Sequence, residues 1–598
     1  MRRVALALPI VAVLLPVVSG GDFNLGRYDL LLLYVCVAIG LNLSLGYAGE
    51  FALGQAFAMA AAGYIAGILS AQAGLDFWVT VPAAMVAGVI TSLLVHLPGL
   101  RLAGWTLAFT GFLAIIVLPD ILVMGQRFTG GEDGLLGIRA VGFGGSALDG
   151  WVVYEIVLLC TVVVFVAARN LVRSSWGLRL RALRDSPQAA EASGINLAGV
   201  KLAAYVMSGV PAGLAGGLLV HVNHFVDPTA FGFNLLVLLL AAVILGGRGT
   251  LWGPVVGTAV LQGFSLWVGP FSTYNVLILG AALLLVVIVF PRGLVPAIAA
   301  LTRRGRGVQR VLEELNERVT TSLTPSTSAT ARQGLVLEVR DLVKSFGGNR
   351  ALDGIDVQLR PGTLVGLIGP NGSGKTTFVN VVTGFLRPDS GTIRVNGVDA
   401  TGLRPSAIAR TGVGRTFQVP QLVDELTVRE NVELGRCGLQ APGIAGPLLR
   451  LPESRRRDQQ RRARAVEVCA WLGFAADVIE RPAGELPLGL KRVVEIARAV
   501  VADPVLICLD EPAAGLNPAE IEWLGVVLAQ LRDRGHAILL IEHNVSFVVR
   551  TCDDVYLLEN GRVSCHGDRI RQGDLPEPLR AYVDLRPRRA LVESAVLS

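Results

Sequence analysis

A chain of 598 residues in which 52% are apolar and only 17% are charged cannot fold entirely as a water-soluble globule. The formal net charge is +6, but the arginines gather beside apolar segments and do not form a basic stripe with interleaved aromatic residues. We therefore expect membrane spans, and we expect no nucleic-acid partner.

Apolar stretches long enough to suggest membrane spans fill the first half of the chain. Arg2 and Arg3, with the apolar run to Val18, predict a retained first span, and a cleaved signal peptide is the alternative. An even count of about ten spans would place the later arginine clusters on the same side as Arg2 and the loop 125–149 on the other side. The remaining predicted spans lie near 30–46, 51–70, 77–97, 105–124, 150–168, 200–222, 233–246, 253–269 and 274–290.

Four motifs lie along this half in a fixed order. Residues 40–57 read GLNLSLGYAGEFALGQAF, and residues 129–135 read TGGEDGL. Residues 182–196 begin ALRD and end EASGIN, and residues 246–254 read GGRGTLWGP. These motifs resemble those of M-type branched-chain amino-acid permeases, in which the third motif is the cytoplasmic coupling segment. The resemblance covers most of 28–296, and a glycine-rich polytopic protein of another kind is the alternative.

The composition changes after the last predicted span. Residues 320–328 read TTSLTPSTS, which is typical of a flexible linker. From Leu335 onward, alternating strand and helix patterns predict a soluble α/β domain. We expect a transmembrane permease domain over 1–302, a linker over 303–334, an ATP-binding domain over 335–585 and a tail over 586–598.

A glycine-rich loop organises the second domain. Residues 369–376 read GPNGSGKT, and they lie between an apolar run at 364–368 and another at 378–382. A strand, a glycine-rich turn and a helix start form the context in which backbone N–H groups enclose phosphate oxygens. Lys375 is expected to reach the β- and γ-phosphates, and the Thr376 hydroxyl is expected to bind Mg²⁺. The pattern predicts a nucleoside triphosphate site.

A second apolar run, at 505–509, ends in Asp510 and Glu511. Phosphoryl transfer depends mainly on positioning and on neutralising charge. We expect Asp510 to hold the Mg²⁺ shell and Glu511 to orient water for attack on the γ-phosphate.

With these features the second half resembles ABC ATPases throughout. Gln418 in RTFQ matches the family's Q-loop, and His543 in LIEHN matches its switch histidine. The resemblance implies that Gln418 meets Mg²⁺ and the attacking water and that His543 contacts the γ-phosphate. It also implies that Phe346 stacks on adenine, with a role in the apolar core as the alternative. The expected nucleotide-binding residues are Phe346, Gly369, Asn371, Gly372, Ser373, Gly374, Lys375, Thr376 and Thr377.

The signature loop departs from the family pattern. ABC ATPases carry LSGGQ there, and its serine and glycine amides close over the nucleotide of a partner domain. Here the loop consists of Leu486, Pro487, Leu488, Gly489 and Leu490. Pro487 supplies neither a hydroxyl nor a backbone N–H. The nucleotide site looks complete, whereas the lid offered to a partner does not.

The expected fold is thus a polytopic helical domain fused to an α/β P-loop ATPase. The expected function is the coupling of ATP hydrolysis to uptake of branched-chain or related amino acids, with ATP and Mg²⁺ as cofactors. The alternatives are uptake of urea, short amides or other small organic solutes, an ABC exporter, and a membrane-tethered regulatory ATPase. Expected partners are a second permease, a second ATPase, an extracytoplasmic binding protein and the lipid bilayer. The expected location is the plasma membrane, with the ATPase in the cytoplasm.

Overall fold

The computed structural model describes residues 25–101, 104–143, 146–268, 280, 284, 288–302, 334–439, 443–567, 576–577 and 580. The predicted first span, most of the tenth, the linker except Gly334, and the tail lie outside these residues. The described residues divide into two compact units. The first takes those up to Arg184, those between Leu197 and Arg306, and Gly443–Leu451; the second takes Asp185–Asn196, those between Gly307 and Pro442, and those from Pro452 onward.

The first unit is helical, as the run of apolar stretches predicts. Its longer helices are α1 (Leu25–Leu41), α2 (Gln55–Ala71), α3 (Phe77–His96), α4 (Trp105–Met124), α5 (Gly150–Val172), α6 (Ser175–Asp185), α7 (Leu197–Asn223), α8 (Phe233–Gly246), α9 (Gly253–Val268) and α10 (Leu294–Thr302). Shorter helical turns are Leu97–Leu100, Gln126–Thr129, Gly131–Asp133, Pro228–Phe231 and Ala445–Leu448, and a two-strand hairpin pairs Gly142–Phe143 with Ser146–Ala147.

Six of these helical segments are long and apolar enough to cross a membrane, counted over the described residues alone. They are Leu25–Tyr47, Phe77–Leu100, Trp105–Met124, Gly150–Val172, Leu197–Asn223 and Pro228–Gly246, while Gln55–Ala71 is apolar but shorter. The predicted count of about ten spans stays a prediction.

Helix α7 packs closely against α2 and α3 because glycines let the backbones approach. A Cβ on Gly216 would lie 2.1 Å from the carbonyl oxygen of Met59, and one on Gly88 would lie 2.5 Å from the Cα of Gly213. Small residues at such contacts are what allows membrane helices to pack tightly. Tyr205 and Leu218 on α7 are almost completely buried.

The span predicted over 51–70 has a broken start. Helix α1 runs into a π-helical turn over Asn42–Tyr47, and the backbone stays irregular until α2 begins at Gln55. Irregular backbone at membrane depth is tolerated only where protein or water satisfies its polar groups. The polar groups of this irregular segment therefore need hydrogen-bond partners elsewhere in the fold.

The second unit contains a mainly parallel sheet and a smaller antiparallel sheet. Its strands are β1 (Leu337–Phe346), β2 (Asn349–Leu359), β3 (Leu364–Ile368), β4 (Ser390–Val395), β5 (Val398–Asp399), β6 (Val413–Arg415), β7 (Leu506–Asp510), β8 (Ala537–Ile541), β9 (Asp554–Glu559) and β10 (Arg562–Gly567). The six-stranded sheet has the order β10-β9-β3-β8-β7-β6, and only the edge pair β9–β10 is antiparallel. The antiparallel sheet has the order β2-β1-β4-β5.

Helices cover these sheets, and buried aliphatic residues fill the space between them. The longer helices are α11 (Lys375–Val382), α12 (Val428–Cys437), α13 (Pro452–Trp471), α14 (Leu488–Val500), α15 (Pro518–Asp533) and α16 (Val545–Thr551). Shorter ones are Pro187–Ala192, Pro405–Arg410, Ala476–Ile479 and Ala483–Glu485. Strands β3, β7 and β8 are buried along their whole length. Because they are parallel neighbours, the segments that follow them emerge at one edge of the sheet.

Candidate functional site

The phosphate loop joins β3 to α11 and depends on glycine at two crowded positions. Gly369 has a φ of 155° and Gly374 a φ of 105°, both in the region that favours glycine. A Cβ on Gly369 would lie 2.1 Å from the carbonyl oxygen of Leu558, and one on Gly374 would lie 2.4 Å from that of Ala351. The buried ammonium of Lys375 donates to the carbonyl oxygens of Gly369 (3.0 Å) and Pro370 (2.8 Å). The loop therefore closes around its own lysine.

The remaining loop residues surround the same turn. Asn371 and Gly372 are exposed at its tip, and Ser373 is buried beneath it. Thr376 and Thr377 lie in the first turn of α11, where Thr376 is exposed. The helix start thus presents its free N–H groups and a hydroxyl at the place where a phosphate chain would bind.

Two buried polar atoms near the loop have no hydrogen-bond partner among the described residues. They are the hydroxyl oxygen of Ser373 and Oδ1 of Asp510. An unpaired buried polar atom costs free energy unless a ligand satisfies it. A hydroxyl suits a phosphate oxygen, and a carboxylate oxygen suits Mg²⁺. The donor set therefore fits a nucleotide with its metal.

The three residues predicted to be catalytic, Glu511, His543 and Gln418, meet at the carboxylate of Glu511. Oε1 of Glu511 lies 2.7 Å from Nε2 of His543, and its Oε2 accepts a hydrogen bond of 3.0 Å from the Gln418 amide. Glu511 has a φ of 48°, which is rare for a residue with a side chain, and its N–H donates to the carbonyl of Ile541 at 2.9 Å. This backbone bond ties Glu511, which follows β7, to the last residue of β8.

Arg415 at the end of β6 joins the Q-loop to the carboxylate of Asp510. Its guanidinium lies 4.0 Å from Oδ2 of Asp510 and donates to Oδ1 of Asn380 at 2.6 Å and to the Thr383 hydroxyl. Burial raises the pKa of the Asp510 carboxyl, and the charge of Arg415 opposes that rise. The sequence marks Arg415 only as part of a motif, and its ionic role was missed.

The signature helix α14 holds the Q-loop through three charged residues that the sequence reading also missed. Arg492 donates to the carbonyls of Phe417 (2.7 Å) and Gln418, and Arg498 donates to that of Gln421. Glu495 accepts from the N–H groups of Phe417 (3.3 Å) and Gln421 (3.2 Å) and from Arg498 (3.3 Å).

The spacing in the sequence places these three charged residues on one face of α14, but their burial is visible only in the structure. Positions 492, 495 and 498 recur every three residues, so they share one face of α14. All three residues are buried. Buried charges are found almost always in pairs, so three of them on one face predict a polar contact with another part of the fold.

Phe346, at the end of β1, is more exposed than the residues of this cluster. Its side chain is 49% exposed, and the ammonium of Lys344 lies 5.6 Å from the ring centroid. An aromatic face left open to solvent is available for stacking. Its role toward adenine stays a prediction.

The degenerate signature loop leads directly into α14. Pro487 is the N-cap residue and makes no side-chain capping bond, and Leu488 is 52% exposed. A Cβ on Gly489 would lie 2.7 Å from Oε1 of Glu520, so a carboxylate stands beside the first turn of the helix. A negative charge there competes with any anion for the helix N-terminus.

In the first unit, three of the four sequence motifs meet at the broken helix. The Asn42 amide donates to the carbonyl of Thr250 (2.8 Å) and accepts from the N–H of Gly249 (2.9 Å). Arg184 donates to the carbonyl of Gly46 at 2.8 Å. The Arg184 bond satisfies a backbone carbonyl of the π-helical turn, and the Asn42 side chain ties the turn to the backbone of Gly249 and Thr250.

The irregular segment after the turn is held by a buried ion pair. Glu50 lies 2.9 Å from the ammonium of Lys201 and accepts a hydrogen bond of 3.0 Å from the Tyr205 hydroxyl. Nε2 of His96 accepts from the N–H of Gly54 at 3.0 Å, which caps the start of α2. The histidine therefore has a structural partner at this end of the helix.

Comparisons with known proteins agree with the family resemblance of each half of the chain. The family described as branched-chain amino acid transport system / permease component matches residues 30–288, and the family described as ABC transporter matches residues 352–514. The high-affinity branched-chain amino acid transport ATP-binding protein LivG of Escherichia coli is 38% identical over 42% of this chain and 97% of its own length. BraF of Pseudomonas aeruginosa, which has the same description, is 36% identical over 42% of this chain and 97% of its own length. The chain belongs to the branched-chain amino-acid ABC transporter family.

Within this family the chain combines a permease domain and an ATP-binding domain on one polypeptide. It is a multi-pass membrane protein, and its second half is an ABC ATPase that binds ATP and hydrolyses it in a transport cycle. Among solved structures, the ADP-bound form of an ABC transporter cassette is 32% identical over 42% of this chain and 99% of that chain, with a TM-score of 0.37.

Proposed function

We propose that this chain is the fused permease–ATPase subunit of an ATP-driven importer for branched-chain or related amino acids. The observation that carries the proposal is the joining of a permease-family half to an ATPase half that is 38% identical to a branched-chain amino acid transport protein. The domain boundaries proposed above, 1–302 and 335–585 with a linker between them, follow from this division.

The proposed roles of the site residues follow from their positions. Lys375 leaves the carbonyls of Gly369 and Pro370 to bind the β- and γ-phosphates, while Ser373 donates to a phosphate oxygen. Glu511 accepts a hydrogen bond from the attacking water and orients it in line with the γ-phosphate. His543 and Gln418 already contact this carboxylate, so they hold it in place and then engage the γ-phosphate and the water.

Thr376, Asp510 and Gln418 are the residues that would hold Mg²⁺. The metal, when bound, neutralises charge on the β- and γ-phosphates. The orphaned Oδ1 of Asp510 supports this assignment. Burial raises the pKa of the Asp510 carboxyl, and the charge of Arg415 opposes that rise, so Arg415 favours the ionised form that binds a metal.

The proposed link from ATPase to permease runs through the coupling segment. Within the second unit, the Ser186 hydroxyl donates to the Gln421 side chain at 3.3 Å, three residues beyond Gln418. Gly194 packs so closely on Gly438 that a Cβ on Gly438 would lie 2.1 Å from the Gly194 carbonyl carbon. Arg184, two residues before Ser186 in the chain, binds the broken helix in the first unit. Movement of the Q-loop would thus pull on Arg184 through the covalent chain.

The signature loop makes the two composite ATP sites unequal in this proposal. A partner ATPase with a complete signature would close over Lys375 and Glu511 of this chain. The opposite site would be closed by Pro487 and Leu488, without the serine hydroxyl and amide that bind γ-phosphate. Each charge-assisted hydrogen bond lost is worth about 1.5–3 kcal/mol. Glu511→Gln should therefore nearly abolish transport, whereas the matching change in the partner should be milder; equal losses would contradict this asymmetry.

The proposed assembly contains a second permease, a second ATPase and an extracytoplasmic binding protein, in the plasma membrane with the ATPase in the cytoplasm. The test is uptake into vesicles that contain the co-purified complex, with the binding protein outside and ATP inside. Branched-chain amino acids should accumulate only when ATP and the binding protein are both present. Accumulation of urea or short amides instead would replace the proposed substrate, and ATP-driven efflux would overturn the importer. ATP hydrolysis indifferent to a loaded binding protein would indicate a regulatory ATPase.

A further inference from the structure

One segment of the ATP-binding half packs with the membrane helices. Residues 443–451 read GIAGPLLRL and lie between α12 and α13 in the chain, yet they belong to the first unit. The Asn170 side chain donates to the carbonyl of Leu448 at 3.0 Å. Pro447 is buried in this contact region, whereas the residues after Leu448 are exposed.

The attachment point fixes where the segment lies on its membrane helix. Asn170 is two residues from the end of α5, a candidate span. Three apolar residues precede it on the same helix at intervals of four, three and four residues: Leu159, Val163 and Val166. Because each residue turns the helix by about 100°, all four side chains fall within an arc of about 60°. The three apolar side chains are 64%, 58% and 41% exposed. Asn170 therefore terminates an apolar stripe that faces outward along a span.

The open side of the segment has the composition of a membrane-surface anchor. Leu449 is 68% exposed and Leu451 is 46% exposed, with the exposed Arg450 between them. Single exposed leucines are ordinary on a soluble surface, but these two belong to a segment that is bonded to the end of α5, a candidate membrane span. Apolar side chains beside basic ones bind anionic membrane surfaces.

We propose that residues 443–451 form an interfacial anchor that rests in the surface of the bilayer beside α5. Leu449 and Leu451 insert at the boundary between headgroups and acyl chains, and Arg450 binds lipid phosphate groups. This inference goes beyond the proposed function, because it requires only that α5 crosses a membrane. A partner subunit covering the same stripe would be a different occupant, and the experiment below separates the two.

The test places an environment-sensitive fluorophore on a single cysteine in the full chain, from which the native cysteines have been removed. Leu449→Cys is the test variant, and Val398→Cys, 52% exposed on β5, is the matched control. Both are reconstituted into vesicles of phosphatidylethanolamine and phosphatidylglycerol. Spin-labelled lipid should quench the label at 449 at least ~2-fold more than the label at 398, and aqueous iodide should show the reverse order. ATP binding by both variants serves as the check that the chain is folded.

Three results would overturn the proposal. The first is equal quenching of both labels by iodide with no quenching by lipid. The second is protection of position 449 that appears only with a co-purified subunit and without lipid quenching, which would identify a protein occupant. The third concerns Arg450→Glu in the chain labelled at 449. This change should weaken lipid quenching in phosphatidylglycerol vesicles more than in vesicles of pure phosphatidylcholine. An equal effect in both kinds of vesicle would contradict the role of Arg450. None of these readouts depends on transport, so failure of the importer proposal would leave the test intact.

Discussion

Removing the charge of Glu495 tests whether the signature helix holds the Q-loop in place. Glu495→Gln keeps the shape of the side chain but leaves the buried guanidinium groups of Arg492 and Arg498 without their carboxylate. The side chains of Glu495 and Arg498 are only 1% and 2% exposed, and their charged atoms lie 3.3 Å apart. Burial raises the pKa of Glu495, while Arg498, the backbone N–H of Gln421 and Arg492 oppose that rise.

The expected loss of stability follows from this burial. Breaking a buried ion pair by removing one partner costs about 3–5 kcal/mol. For a domain of this size, each kcal/mol lowers Tm by about 2–4 °C. The ATPase transition of Glu495→Gln should therefore fall by ~6–20 °C. ATP hydrolysis should fall with it, because Gln418 loses the support that keeps it at Glu511.

The measurement is thermal unfolding of the purified full chain in detergent, in which the ATPase transition is the one that added ATP raises. Glu467→Gln is the matched control, because Glu467 pairs with Arg464 at the same i, i+3 spacing but is 62% exposed. Exposed pairs contribute about 0–1 kcal/mol. If both variants shift the transition equally, the reasoning is refuted. Replacing Glu495 and Arg498 together by methionine should recover part of the loss, since it removes one of the two buried guanidinium groups that are left without a carboxylate.

Three further predictions concern catalysis, topology and coupling. Glu511→Gln should bind ATP normally but hydrolyse it on the order of 10²-fold more slowly, and near-normal turnover would refute the role of Glu511 as the base. Lys375→Ala should instead weaken nucleotide binding in a filter assay. In a chain without native cysteines, Ala147→Cys should react with an impermeant thiol reagent from outside the cell and Gln188→Cys should not, since both positions are exposed and the predicted topology places them on opposite sides. Arg184→Ala should lower the solute transported per ATP hydrolysed while ATP binding stays unchanged, and an unchanged ratio would remove Arg184 from the coupling path.

The ATP-binding chemistry was predictable because its motifs are local in sequence. A phosphate loop needs a strand, a few glycines and a helix start, all of which lie within 364–382. The same holds for Asp510 and Glu511, which follow directly from a buried strand. The parallel order of β3, β8 and β7 then brings the loop, His543 and Glu511 to one edge of the sheet. The convergence of Gln418 and His543 on Glu511 follows from this order together with the resemblance.

The supporting contacts were not predictable in the same way, because each joins residues far apart in the chain. The hold of α14 on the Q-loop spans more than seventy residues, and the Asn42 contact with Gly249 spans 207. Nothing in the local sequence of either partner specifies the other, since the pairing depends on how whole helices and strands pack. The burial of three charges on one face of α14 appears only once that packing is known.

The sequence by itself determined the domains and motifs of this chain: a polytopic helical half, an ABC ATPase half, an intact phosphate loop and an altered signature loop. These properties reside in hydrophobic runs and short motifs, which act through local backbone geometry and side-chain chemistry. Only the tertiary structure decided that the first helix breaks at Asn42–Tyr47, that Arg184 binds that break, and that residues 443–451 pack with the membrane helices. Those outcomes depend on hydrogen bonds and packing between distant segments, because a buried backbone group or charge must find a partner wherever the fold supplies one.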